Sequence, residues 1–407
     1  MANRFALRLE NNLWKMKAIR FLWWAHFFAA VLVPFFRDWG GLDYTHIMLL
    51  NAWFWFWNFL LEAPTGTIAD VFGRKVSIAL SGFAAMGATL LYGSTPSFAV
   101  FLLAEVVFAV SMTLASGADE ALVYDTLVGL GREEEAQRTY ARLESFKIAG
   151  ILCGALIGAP IAASWGLRAP MLLQAIPFAA AAMLALSLAE PGGRRPTSER
   201  RAYAETLFAG VRYFRRHAEL RVLALDMVGA GALSFLVIWF YQPQLERAGI
   251  GVAAFGTVHA AMCIAQIVVL RNVERPEGLC GSRRTYLFLS ALAPGLAFLV
   301  LGAGGGAVPT VSAIVFAAAF GLSRPTLFLG YMNRHIPGAQ RATVLSAISM
   351  LRTLAAALLN PIAGFLGDWS MQAALIVFGI ATIAVAVTGR AVAGAVAPSS
   401  LVAGRSE

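Results

Sequence analysis

Apolar runs of about twenty residues recur from one end of this chain to the other, and they restrict its fold more than any motif does. As a helix, a run of roughly 20 residues crosses the ~30 Å hydrocarbon core of a bilayer. The composition agrees, because 59% of the 407 residues are hydrophobic and only 14% are charged. A soluble domain carries about a quarter charged residues. The sequence therefore predicts an all-α polytopic membrane protein.

Twelve candidate transmembrane spans can be marked, and span numbers below follow the chain. Their approximate limits are 18–36, 47–68, 76–95, 98–118, 143–163, 168–189, 220–243, 252–271, 285–303, 309–331, 342–366 and 371–390. The first run is too long for the apolar centre of a signal peptide, and another span follows after a short loop. We therefore interpret span 1 as part of the mature protein.

The distribution of basic residues predicts the orientation. With the N-terminus, the even-numbered connections and the C-terminus on one side, 26 of the 32 Lys and Arg residues fall on that side. Cytoplasmic loops carry such an excess, so we expect a multi-pass protein of the bacterial inner membrane with both termini in the cytoplasm. This asymmetry explains the net charge of +9, and no nucleic-acid partner is needed to account for it.

One long polar connection divides the chain into two weakly similar halves. We expect a six-helix bundle over 1–189, a cytoplasmic linker with a basic amphipathic helix over 190–219, a second bundle over 220–390 and a cytoplasmic tail over 391–407. The segment "PIAASWG" in span 5 is echoed by "PIAGFLGDW" in span 11, and "GRK" after span 2 by "GSRR" after span 8. Transporters are often built from such repeats, with the site between them.

The connection between spans 2 and 3 carries the most specific pattern, G-x-x-x-D-x-x-G-R-K. Its residues are Gly66, Asp70, Gly73, Arg74 and Lys75. The pattern closely resembles the signature of the major facilitator superfamily, which usually reads G-x-L-A-D-R-x-G-R-K, although Val71 stands where the family has Arg or Lys. Twelve spans and a long central loop extend the resemblance over the whole chain. It implies two pseudo-symmetric six-helix bundles and a central cavity lined by spans 1, 4, 7 and 10.

The same loop is a candidate gate. Gly73 permits a tight turn between two antiparallel helices, and Gly66 permits a close approach of span 2 to a neighbouring helix. The resemblance implies that Asp70 faces the N-terminus of span 11, and that Arg74 pairs with an acid at the foot of span 4, for which we select Asp125. The alternative is a positive-inside anchor without a gating role.

Ionisable side chains inside the spans are functional-site hypotheses, because leaving them in lipid is costly. Glu105 in span 4 is the preferred proton carrier, since it would bind and release a proton as its surroundings change between dry and wet. Arg352 in span 11 would attract an anionic substrate or form a static pair with Glu105. The other candidates on the proton or substrate pathway are His26, Glu62, Asp226 and Asn58.

Two further groups have mainly structural interpretations. At the cytoplasmic ends of spans 4 and 5, we expect Asp119 or Glu120 to form a bundle ion pair with Lys147 rather than a proton relay. Spans 7 and 8 contain soft metal ligands, although ordinary apolar filling explains them as well. These are His259, Met262, Cys263 and Met227. We expect no cofactor and no resident metal.

The sequence thus predicts a secondary active transporter that works as a monomer in the lipid bilayer. It is expected to move a small amphipathic organic solute by alternating access, in a proton-coupled export cycle. No P-loop, G-x-S-x-G elbow or metalloprotease spacing favours a pump or an enzyme. The alternatives are an importer of a small solute or a carrier of a metal or metallophore, and a membrane sensor or scaffold that has kept the fold.

We predict that Asp70→Asn weakens the state closed on the cytoplasmic side by about 1 kcal/mol, because the amide has no charge to interact with a helix N-terminus. A single cysteine introduced on the cytoplasmic side should then be labelled faster, and transport should slow, while insertion and folding stay intact. Unchanged labelling together with unchanged flux would rule out the gating role.

Overall fold

The computed structural model describes residues 2–190, 228–272, 278, 280–327 and 341–396. Within these ranges, side chains are described except at 2–5, 63, 67, 70, 283–284, 341–350, 353 and 390–396. Every regular element in the described ranges is helical, as predicted. The expected linker helix and the end of the tail lie outside the described residues.

The helices of the first half follow the predicted spans. They are Ala2–Trp24, Tyr44–Phe72, Arg74–Tyr92, Phe98–Ala115, Ala118–Gly129, Ala136–Trp165, Arg168–Leu173 and Ala175–Leu186. Span 4 continues beyond its apolar run, because a turn at Gly117 leads directly into a second helix. Span 5 likewise begins before its apolar run. Hydrophobicity marks the membrane-embedded part of a helix, and polar residues extend it further.

The second half repeats this pattern. Its helices are Val237–Arg247, Phe255–Arg271, Arg283–Ala303, Ala307–Gly321, Arg341–Trp369 and Met371–Val396. Over the described residues, nine helical segments are long and apolar enough to cross a membrane. The three remaining predicted spans, numbers 2, 7 and 11, correspond to the helices Tyr44–Phe72, Val237–Arg247 and Arg341–Trp369.

The chain divides into two compact units, 1–200 with 251–260, and 201–250 with 261–407. In the first unit, span 1 packs on spans 5 and 6, and span 3 packs on spans 4 and 6. In the second unit, span 9 packs on spans 10 and 12. A Cβ atom at Gly82 would lie 2.8 Å from the Cβ of Ala182, and one at Gly295 would lie 3.1 Å from the Gly379 carbonyl oxygen. Spans 3 and 6 therefore pack through small residues, as do spans 9 and 12.

Span 1 is interrupted near its middle. Its helix ends at Trp24, residues 25–28 are not helical, and short 3-10, α and π turns follow over 29–39. Hydrocarbon cannot solvate the backbone groups that such a break releases. The Phe27 N–H donates instead to Oε1 of Gln174, at 2.7 Å. Gln174 is fully buried at the interruption between the two helices of span 6.

Three glycines of span 5 make room for this break. Gly150, Gly154 and Gly158 lie one helical turn apart and face span 1. A Cβ atom on Gly150 or Gly158 would collide with the carbonyl oxygen of Phe21 or Phe27, and one on Gly154 would meet the backbone of His26. The backbones of spans 1 and 5 are therefore in direct contact at the break.

Gly158→Ala should destabilise the protein by about 1–3 kcal/mol, because its new methyl group would meet backbone atoms that cannot move independently. Gly87→Ala is the matched control, since Gly87 is also helical and no described atom lies within 4 Å of its added Cβ. The control should be neutral or stabilising by up to ~1 kcal/mol. Thermal unfolding in detergent measures both variants, and equal melting temperatures would contradict the packing.

Candidate functional site

A cavity of about 460 Å³ lies between spans 1, 3 and 4 of the first unit. Its size falls within the range of pockets that hold small organic molecules. Its aromatic and sulfur-containing wall consists of Trp23, Trp24, Met16 and Met112, and its charged wall of Arg20, Asp119 and Glu120. The cavity therefore combines an apolar surface with a charged one.

Two local features of the sequence position these groups. Met16, Arg20 and Trp23 follow one another at helical spacing, so one face of span 1 supplies three parts of the wall. Across the cavity, Gly117 adopts a left-handed conformation with φ of 71° and restarts span 4 as a new helix. Asp119 lies in the first turn of that helix, where a negative charge is favoured by the helix dipole.

The charged wall contains a cross-helix ion pair. Arg20 Nη1 lies 2.9 Å from Asp119 Oδ2, with 18% and 15% of the two side chains exposed. Lys147 instead pairs with Glu144, at 2.8 Å and one turn away on the same helix. Lys147 still attracts Asp119 electrostatically, but the predicted direct pair of Asp119 or Glu120 with Lys147 is wrong. Glu144 lies three residues before Lys147 on the same helix, so the two side chains meet without any contact between different helices.

The loop between spans 2 and 3 forms the predicted contact with span 4. Gly73 has a φ of 97° and makes the tight turn, and the Arg74 guanidinium contacts the carboxylate of Asp125. The carboxylate of Glu190 accepts hydrogen bonds from the backbone N–H groups of Arg74, at 2.8 Å, and Lys75, at 3.1 Å. Glu190 therefore caps the N-terminus of span 3, a role that the sequence analysis did not predict.

Two expectations about this loop have different outcomes. A Cβ atom at Gly66 would have no described atom within 4 Å, so the predicted close approach there is not found among the described residues. The side chain of Asp70 lies outside the described part of the structure. Its contact with the start of span 11 stays a prediction.

Glu105 is buried, with 8% of the residue exposed. The Tyr92 hydroxyl of span 3 donates a hydrogen bond to its carboxylate. Phe36 and Phe101 pack around this pair, with their ring centroids 5.4 Å apart. Arg352 belongs to the other unit, where its side chain is exposed. The hydrogen bond to Tyr92 was not predicted, and the pairing of Glu105 with Arg352 stays a prediction.

The histidine of span 1 lies at the helix break. The ring of His26 stacks on Phe28 with centroids 5.0 Å apart, and it interacts electrostatically with His259 of span 8. On the same helix as His259, Met262 is buried and Cys263 is half-buried. Among the described residues, no three or more His, Cys, Asp or Glu side chains are grouped so that they could hold a metal ion.

The remaining pathway candidates lie in different places. Glu62 accepts a hydrogen bond from the hydroxyl of Ser116, at 2.8 Å, and Ser116 lines the cavity. Glu62 is thereby brought to the cavity edge. Asn58 is half-buried in span 2. Asp226 and Met227 lie outside the described residues.

Sequence reasoning missed Arg20 because it was counted only as one of the orientation-setting basic residues. Its position one turn before Trp23 and Trp24 was the available signal. Glu190 was assigned to the linker, and no sequence pattern connects it with the loop it caps. The hydrogen bonds of Tyr92 and Gln174 depend on which side of each helix faces its neighbour. A continuous apolar run does not reveal that side.

Comparison with known proteins gives a consistent result. The sequence model of the Major Facilitator Superfamily matches residues 18–360. The fold is similar to the crystal structure of the nucleoside transporter NupG, with a TM-score of 0.76, 13% identity, and coverage of 93% of this chain and 98% of that one. A bacterial homologue of the human lysosomal transporter Spinster, solved inward-facing and unoccupied, gives a TM-score of 0.73 and 15% identity over 95% and 97% of the two chains. The structure of a POT family transporter in complex with a thioalcohol-conjugated peptide gives a TM-score of 0.71 and 14% identity, and the match covers 95% of this chain and 96% of that one.

Arg20→Gln and Asp119→Asn should show a coupling of about 1–2 kcal/mol in a double-mutant cycle, because the pair is mostly shielded from water. The matched cycle of Lys147→Gln with Asp119→Asn should give less than about 0.5 kcal/mol. Unfolding of the purified variants in detergent provides the stabilities. A stronger coupling to Lys147 than to Arg20 would contradict the observed partner.

Proposed function

This chain belongs to the major facilitator superfamily, and we propose that it exports a small amphipathic organic solute in exchange for protons. As a member of that superfamily it is a secondary transporter and not an enzyme. The observation that carries the proposal is the cavity of about 460 Å³, in which an aromatic wall meets a charged one. Such a cavity suits a molecule with an apolar body and a polar end.

The two walls have different tasks in this proposal. Trp24 offers a flat ring surface and Met112 an adaptable side chain, while Trp23 and Met16 line the wall with only 6% and 2% of their surfaces exposed. The apolar body of the solute is thus bound through the apolar surface that it buries, which does not require an exact match of shape. The charged wall orients the solute, since polar contacts depend on direction while apolar ones do not.

Alternating access requires contacts that close each side of the transporter and can break again. We assign those on the cytoplasmic side to the loop between spans 2 and 3. The contacts of Arg74 with Asp125 and of Glu190 with the start of span 3 both lie within the first unit. They therefore hold the loop against its own bundle. The breakable contact is assigned to Asp70 and the N-terminus of span 11, because an anion is favoured there and is released without covalent change.

Proton coupling is assigned to Glu105. Its carboxyl group is buried among aromatic side chains and accepts a hydrogen bond from Tyr92, which is the one donor to its ionised form among the residues that the structure describes. Opening of the surroundings to water would change that balance. Glu62 at the cavity edge and Asp226 are the alternatives for the same role.

The structural neighbours support a transporter and leave the solute open. They include a nucleoside transporter and a peptide-bound POT family transporter, which shows that this fold accommodates substrates of different chemistry. Identities of 13% and 14% transfer the fold and not the substrate. An importer would use the same cavity, and a sensor or scaffold would bind without moving solute, so measured flux separates these alternatives.

In proteoliposomes with an imposed proton gradient, Glu105→Gln should abolish uphill accumulation of transported solutes but retain exchange between equal concentrations. The neutral amide imitates the protonated acid in both orientations of the transporter. A panel of cationic, neutral and anionic amphipathic dyes serves as the set of test solutes. Glu134→Gln, which changes an exposed acid in the short 3-10 helix between spans 4 and 5, is the matched control and should keep uphill transport. Retained accumulation in Glu105→Gln would move the proton-carrying role to Glu62 or Asp226.

A further inference from the structure

We infer that the cavity between spans 1, 3 and 4 selects organic cations, whose positive group lies near Glu120 and against the ring of Trp24. The inference rests on the proposed function for the claim that the bound cation is transported. Binding itself depends only on the cavity and can be measured separately.

The first argument is the charge balance of the cavity wall. The wall contains one cationic side chain and two acidic ones. Arg20 is engaged with Asp119 at 2.9 Å, which leaves the carboxylate of Glu120 without an ion-pair partner among the described residues. Glu62 adds a second negative charge at the edge through Ser116. The potential inside therefore attracts a cation and opposes an anion.

The second argument is a cation already bound to the aromatic wall. Nζ of Lys147 lies 4.7 Å from the centroid of the Trp24 ring and is held there by Glu144, at 2.8 Å. An ammonium group over an indole ring is a favourable arrangement in a partly desolvated site. This contact shows that the Trp24 indole accepts an ammonium group, here from a lysine that is not part of the cavity lining.

An anionic solute is the opposite possibility, and Arg20 is the group that would attract it. Its guanidinium already faces the Asp119 carboxylate, so an anion would have to displace a partner that the chain itself supplies. Glu120 would then repel the incoming charge. The two possibilities predict opposite effects of the same substitutions, which makes them easy to distinguish.

The test compares tetraphenylphosphonium with tetraphenylborate, two ions of nearly the same shape and opposite charge. Equilibrium dialysis with the purified full chain in detergent should show saturable binding of the phosphonium ion and none of the borate. Glu120→Gln should weaken phosphonium binding about tenfold, and Lys147→Met should strengthen it by a similar factor by removing a positive charge beside Trp24. Glu134→Gln removes the same charge from a short 3-10 helix that does not line the cavity, and it should leave binding unchanged.

Trp24→Leu provides a second variant in case Glu120→Gln does not fold, and it should also weaken binding about tenfold. Thermal unfolding establishes that each variant is folded. Equal affinity for the two ions, unchanged binding in folded Glu120→Gln or Trp24→Leu, or weaker binding in Lys147→Met would overturn the inference. Tight phosphonium binding without flux in vesicles would overturn the transport function while supporting the cation site. Flux of anionic dyes alone would support transport and overturn the cation site.

Discussion

The arrangement of the first unit depends on one constraint, that a backbone polar group inside a membrane must find its partner within the protein. Span 1 stops being helical after Trp24, and the N–H of Phe27 is taken up by the buried side chain of Gln174. The break is tolerated only where another backbone can come close, which the glycines of span 5 allow. Spans 1, 5 and 6 are thereby packed against one another. This packing places Arg20 and Trp23, on the helix before the break, in the wall of the cavity.

Charged side chains inside a membrane protein also need partners. In the described part of the first unit, these partners come from the same unit. Arg20 is paired with Asp119, Arg74 with Asp125, and Lys147 with Glu144. Each pair lies inside the first unit. Removing one partner of a shielded pair is strongly unfavourable, so the Arg20–Asp119 pair, with 18% and 15% of its side chains exposed, helps to hold spans 1 and 4 together.

The fold and the specificity of the protein have separate origins. The fold is shared with transporters at 13–15% identity. The cavity wall is described by particular side chains, among them Trp24, Asp119 and Glu120. A superfamily fold hosts many functions, and the site decides among them. The charge and aromatic character of this wall are therefore the part of the structure from which a substrate class can be argued.

The sequence alone determined the membrane class, the approximate spans and the tight turn after span 2, because apolar run length and the spacing of Gly, Asp and Arg are local properties of the chain. The resemblance to the superfamily signature further implied that Arg74 pairs with an acid at the foot of span 4, for which Asp125 was selected. Only the tertiary structure decided that Asp119 meets Arg20 and that Glu105 meets Tyr92. Long apolar helices carry little amphipathic signal, so their rotation is set by packing against neighbours and not by the sequence pattern. The break in span 1 was invisible for the same reason, because the residues that permit it are glycines and a glutamine on spans 5 and 6.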